Sequence, residues 1–251
     1  MSALFALSAP SIPRHTQYVD TIKVVDDTEV QSPPPLPRLS DQAATFLSSE
    51  QFSLSSARSL GWNESFSRVS VFLTTLSASA VALALVADAS GFDGQFTVFA
   101  LVLFPIVLFL GIATHARLVQ INLEDVFLVV ALNRVRRAYI DSAPEIRPYL
   151  TTGVSDDEPG VWATYLLGRP HPRRHWLQVL VSTPTLVATL NAVIAAVGIG
   201  ALVRYLDGSG LVVAGLCLVA FCVVLGALFS NQLRAYRHAS QSEPRFPVDG
   251  L

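Results

Sequence analysis

The sequence predicts an all-α integral membrane fold: a bundle of four transmembrane helices, the second continued as a cytoplasmic stalk, behind a disordered N-terminal tail. Three observations carry this. The 251-residue chain is 51% hydrophobic and only 14% charged, against about 25% charged in an ordinary soluble domain. Its apolar residues gather into separate runs, each as long as the ~20 residues that a hydrocarbon core of about 30 Å demands of a helix. Its basic residues are segregated as well. Of the 17 Lys and Arg, all but Arg204 fall in the N-terminal tail, the central segment or the C-terminal tail.

Residues 1–60 are rich in Ser, Pro, Gln and Asp without sustained periodicity, and read as a disordered cytoplasmic tail. Its SPPPLPR stretch, Ser32 to Arg38, favours an extended polyproline helix and reads as a stiff linker. The opening MSALFALSAP lacks the positive flank and apolar length of a cleaved signal. A transmembrane domain is expected over 64–238, with spans at about 69–88, 95–115, 177–203 and 210–231. It includes a cytoplasmic helix and loop, 116–175, and a flexible tail follows at 239–251. The hairpin loops DASGFDGQ and RYLDGSG are short, acidic and glycine-containing, as tight turns require. The positive-inside rule then places both termini and the central segment in the cytoplasm.

No Asp, Glu, Lys or Arg lies inside any span. Intramembrane charge is costly and is kept mainly for transport or sensing, so an ion-coupled pump or voltage sensor is disfavoured. The polar residues that remain are Thr74, Thr75, Ser77 and Ser79 in span one and Asn191 in span three. They read as interhelical hydrogen bonds, worth about 0.6 kcal/mol each in lipid, and secondarily as a pore lining. Small residues at four-residue spacing mark packing seams. These are Ala188, Ala192, Ala196 and Gly200 in span three, Gly210, Ala214, Cys222, Gly226 and Ser230 in span four, with Leu218 interrupting, and Thr74, Ala78 and Ala82 in span one. They predict one compact bundle and a homo-oligomer. Pro105 and Pro184 each remove a ladder hydrogen bond and are expected to bend spans two and three.

Beyond Thr114 nothing breaks the second helix until SAPE, where Pro144 disfavours helix at the residue before it. Roughly 25 further residues at 1.5 Å each would carry it about 35–40 Å past the membrane. Ile121, Leu128, Leu132, Val135 and Tyr139 form one apolar face, and Val119, Leu123, Val126, Phe127 and Val130 another. A helix apolar on two faces must be covered, by other cytoplasmic segments or by other subunits. Glu124 and Asp125 stand within this apolar surface and are expected to pair with Arg117 or with an arginine from another element.

RPHPRRHW sets Arg169, Arg173, Arg174 and Trp176 beside span three, as topology anchors and candidate contacts with anionic lipid. Cys217 and Cys222 lie within an apolar run and read as packing residues. His171 and His175 are separated by Pro172, and Asp156, Asp157 and Glu158 lack the alternation of a calcium loop and read as a solvated turn. No metal, cofactor or nucleic-acid partner is expected.

The blocks FLTTLSASAVALAL, ALVLFPIVLFLGIATHARLVQ, LEDVFLVVALNRVRRAYIDSAPE and LNAVIAA resemble a family of four-span membrane proteins common in actinobacteria and their relatives. The resemblance covers about residues 64 to 238 and implies a multi-pass protein of the bacterial inner membrane with no assigned activity. In shape alone the chain is similar to small transmembrane effectors of bacterial defence systems. The resulting expectation is a non-enzymatic oligomeric scaffold or interaction protein, with lipid, its own copies and a cytoplasmic protein as partners. The alternatives are an oligomeric pore gated through the cytoplasmic helix, and a lipid-acting enzyme at the membrane interface using Glu124 and Asp125.

Overall fold

The computed structural model describes residues 39–168, 181–239 and 245–246. Every regular element among these residues is helical: α1 (Asp41–Ser90), α2 (Gly94–Ser142), a 3-10 helix (Pro144–Tyr149), α3 (Glu158–Tyr165), α4 (Thr183–Tyr205) and α5 (Gly210–Ala239). α1, α2, α4 and α5 are each long and apolar enough to cross a membrane.

The first helix corrects the sequence reading. Residues 41–60, expected as part of a disordered tail, are helical. The Ser40 hydroxyl accepts the N–H of Ala43 at 3.2 Å, and Asp41 in the first turn meets the positive end of the helix dipole. From there Ala44, Leu47, Gln51, Leu54, Arg58, Gly61, Ser65, Val69, Phe72 and Leu76 recur at spacings of three or four, and each is at least partly covered. Such a seam packs lengthwise against a neighbouring helix. It was hidden in the sequence because Gln51, Arg58 and Ser65 occupy seam positions. The 50 residues of α1 span about 75 Å at 1.5 Å each, far more than the ~30 Å of hydrocarbon.

The α1–α2 turn is built by three residues. Gly91 adopts a φ of 69° and donates its N–H to the Ala87 carbonyl at 2.8 Å. Phe92 follows at a φ of 62°. The Asp93 carboxylate then caps α2 by accepting from Gln95 and Phe96 at 2.9 and 3.2 Å. Pro105 sits inside α2 without ending it, and the helix stops at Ser142, ahead of Pro144. Pro184 does not bend its span. It lies in the first turn of α4, where a missing N–H goes unneeded.

The four long helices do not all close around one core, because α5 contributes no residue to it. α1 packs on α2, α2 on α4 and α4 on α5, with α5 touching α2 to a lesser extent. The result is an open row with α2 and α4 inside, in place of the compact bundle expected. Its apolar centre is Phe72, Val107, Leu118, Val187 and Ile194. Here Gly111 allows a three-helix approach. A Cβ at that position would lie 1.9 Å from Asn191 Oδ1 and 2.8 Å from Phe72 Cε2.

Burial is uneven along α2. From Thr114 to Ile140 the helix buries Thr114, His115, Leu118, Val119, Ile121, Asp125, Val129, Leu132, Asn133, Val135 and Ile140. In its apolar first half Val98, Val102, Ile106 and Phe109 stand exposed. Lipid tails are as apolar as leucine, so a span needs little protein cover, whereas water forces burial.

The seams divide accordingly. Ala188, Ala192 and Gly200 are buried and Ala196 is half-buried. Cys217 of α5 donates its Sγ–H to the Ala196 carbonyl at 3.2 Å, and a Cβ on Gly200 would sit 2.9 Å from that sulfur. The span-four stripe is corrected. Gly210, Ala214, Cys222, Gly226 and Ser230 are exposed, and a Cβ on Gly226 would meet nothing within 4 Å. α5 turns its bulkier face inward because α4 already supplies the small residues.

Candidate functional site

The polar groups of the chain converge where α1, α2 and α3 meet, just beyond the apolar stretches. Arg58 reaches Asp125 with two nitrogens, at 2.6 and 3.3 Å. The Tyr165 hydroxyl donates to Asp125 Oδ2 at 2.6 Å, the oxygen that Arg58 Nη2 also reaches, and the Arg58 guanidinium stacks 5.3 Å from the Tyr165 ring centroid. About two turns toward the apolar stretch, Arg117 grips both oxygens of Glu64 at 2.9 Å and also Glu124 at 2.9 Å. Arg68 adds a 2.8 Å contact to Glu64 from its own helix. Glu124 and Asp125 thus both meet arginines, one from α2 and one from α1.

The loop before α3 is tied to α2 by a buried amide. Asn133 donates to the Ser155 carbonyl at 2.8 Å. Its Oδ1 accepts from Thr164 at 2.7 Å and from Arg136 at 2.9 Å. Close backbone approach completes the joint, since a Cβ on Gly153 would lie 2.0 Å from the Gly160 carbonyl. α3 is thereby held in place, which sets Tyr165 over Asp125.

The SDDE run is not a solvated turn. Asp157 caps α3 by accepting the Gly160 N–H at 3.0 Å. The Asp156 side chain is fully covered. It accepts from Arg134 at 2.8 Å and from the backbone of Arg245 and Phe246 at 2.9 and 2.7 Å, while Phe246 returns its carbonyl to the Asp156 N–H at 3.2 Å. Residues 245–246 of the expected flexible tail are therefore docked, because they satisfy a carboxylate that burial would otherwise strand.

The electrostatics follow from these partners. The Arg117 and Arg68 hydrogen bonds pull the Glu64 carboxyl down to about 2. Burial opposes the Arg58 charge, yet Asp125 outweighs it and holds the guanidinium above its ordinary value. Burial, then the neighbouring Asp125 charge, push the Tyr165 hydroxyl far up, so it remains an O–H donor. Burial also raises the Asp156 carboxyl, but the Arg245 backbone, Arg134 and the Phe246 backbone win and hold it below its usual range.

Against the Arg58–Asp125–Tyr165 group lies a largely apolar cleft of about 370 Å³. Gly61, Phe66, Val69, Leu118, Ile121 and Leu128 supply most of its wall, and Ser182 and Thr183 close it from the start of α4. It falls within the ~300–1,000 Å³ of ordinary ligand pockets. Asp125 already accepts from Arg58 and Tyr165, so in this arrangement it acts as a counter-ion. The cleft is fitted to bind an apolar group beside a guanidinium whose charge Asp125 offsets, with Glu124 also on its wall.

Other sequence candidates lie elsewhere. The span polar groups do not form the interhelical hydrogen bonds expected of them. Thr75 and Ser79 donate to Val71 and Thr75 carbonyls of their own helix, Asn191 to Val187 of its own helix, and Thr74 and Ser77 are exposed. Apolar neighbours offer no cross-helix acceptor, so the nearest carbonyl is the one a turn back. Arg169, Arg173, Arg174, Trp176, His171 and His175 lie outside the described residues. Arg58 and Tyr165 were missed, although an unpaired Asp125 in an apolar face already demanded a partner. No family model, curated protein or solved structure matches this chain.

Proposed function

We propose that this is a non-enzymatic, multi-pass protein of the bacterial inner membrane, of the actinobacterial four-span kind, that serves as an oligomeric scaffold or interaction platform. Both termini and the α1–α2 extension face the cytoplasm in this reading. The observation that supports it best is the outer face of α1 before its apolar stretch. Phe46, Phe52, Leu60 and Trp62 stand 65%, 76%, 68% and 51% exposed there. The segment also carries Asp41, Glu50, Arg58, Glu64 and Arg68, so it belongs in water, where such apolar residues mark a protein contact. The bare small-residue face of α5 supplies a second contact, within lipid.

Photo-crosslinkers at Phe52 and Leu60 in native membranes test the first contact. The expected result is a discrete heavier species from both sites, and the Leu60 adduct should be lost when Phe46 and Phe52 are replaced by Asp. Recovery of monomer alone would remove the main support. Cys222 lies on the exposed α5 face, so mild oxidation in membranes should trap a Cys222-linked dimer if that face joins two copies. In the pore reading several copies would be needed, because the described helices of one chain stand in an open row.

A further inference from the structure

The cleft shares a wall with a second depression. Arg58 and Trp62 line both. On one side the apolar cleft runs toward the bilayer along Phe66, Val69 and Leu118. On the other is an open polar groove formed by Ser55, Ser59, Asn63 and Arg136.

The charge of the groove is unbalanced. Arg58 has Asp125, but Arg136 gives an N–H only to the neutral Asn133 amide at 2.9 Å and meets no carboxylate among the described residues. Burial, then the like charge of Arg58, both work against its protonation. A guanidinium carries five N–H donors, so most of those on Arg136 remain to be used. Ser55 and Ser59, one turn apart on α1, also line the groove, and neither hydroxyl donates to the helix's own carbonyls among the described residues.

We propose that the two depressions form one binding site for an anionic phospholipid, with its phosphate between Arg58 and Arg136 and one hydrocarbon chain in the cleft. Arg58 Nη1, left outside its two contacts with Asp125, the unused N–H groups of Arg136 and the two hydroxyls form a donor set that a phosphate oxygen array takes up. Arg58 lies ten residues before Arg68, about 15 Å along the helix, so the lipid rises partway out of the bilayer and the cleft replaces the hydrocarbon it leaves. This site is separable from the scaffold reading, because of the residues offered there as contacts only Trp62 lines it.

The test uses the full chain, exchanged in mild detergent with phosphatidylglycerol or phosphatidylcholine and examined by native mass spectrometry. Retention of phosphatidylglycerol over phosphatidylcholine is expected. Arg136→Gln should weaken it about tenfold, the loss of one charge-assisted hydrogen bond. Ser59→Asp, at an exposed position, should do the same by repulsion and decides the matter should Arg136→Gln misfold. Ala57→Leu narrows the cleft and should lower lipid retention while leaving soluble glycerol phosphate binding unchanged. Equal retention of the two lipids, or insensitivity to both charge variants, overturns the proposal. So does lipid retention unaffected by Ala57→Leu, which would leave a simple anion site.

Discussion

At the scale of single residues, two positions join α2 to its neighbours. Gly111 is required for space rather than for conformation, since its missing Cβ is what admits Asn191 and Phe72. Gly111→Ala must push both side chains away from a tight junction. A loss of about 1–3 kcal/mol is expected from overpacking of this kind, read as a lowered thermal midpoint in detergent. Asp125 is the second position. Asp125→Asn leaves the Arg58 guanidinium, 26% exposed, without its counter-charge, at a cost of about 1–3 kcal/mol. Replacing the whole group by Arg58→Met, Asp125→Leu and Tyr165→Phe should recover much of that stability, because the penalty lies in the orphaned partners. If the triple variant is no better than Asp125→Asn alone, packing rather than charge explains the site.

At the scale of elements, the decisive feature is that α1 lies along α2 well beyond the apolar stretch. The Glu64 carboxyl is held at about 2, down from 4.5. A depressed carboxyl stabilises the folded state fully above its unfolded pKa, and that contribution is lost as pH falls toward the folded value. The grip of α1 on α2 should therefore be intact at pH 5 and above and loosen between about 4.5 and 2. Spin labels at Phe52 and Phe127, both exposed, would report this as a broadened distance distribution. Glu64→Gln should show part of the broadening already at neutral pH. An unchanged distribution down to pH 2 would mean that the apolar seam alone holds the helix.

These elements also show what could be read from sequence. The termination of α2 was legible, because Pro144 acts on its immediate neighbour. The need of Asp125 for an arginine was legible as well, since a carboxylate in an apolar face is stranded without one. The identity of that arginine was not. Arg58 stands 67 residues away, on a helix whose seam alternates apolar with polar residues, and periodicity does not register such a stripe. The docking of Phe246 on Asp156 was equally hidden, because backbone N–H groups donate whatever side chain they carry.

At the scale of the whole molecule, the proposed topology makes a direct prediction. Cysteines introduced at Asp93 and Asp207, in the two hairpin loops, should react with a membrane-impermeant thiol reagent added outside intact cells. Cysteines at Tyr149 and Glu50 should react only after lysis. The reverse pattern would invert the orientation drawn from the basic residues.

The four long apolar helices followed from the sequence alone. In hydrocarbon each span must satisfy its own backbone within its own segment, so spanning is a local property written in consecutive residues. How those helices are arranged was decided only by the tertiary structure. The open row, the outward face of α5, the long docked α1 and the cleft at its foot depend on choices among partners that differ by a few weak contacts. Such choices are made between residues far apart in the chain, and no local pattern encodes them.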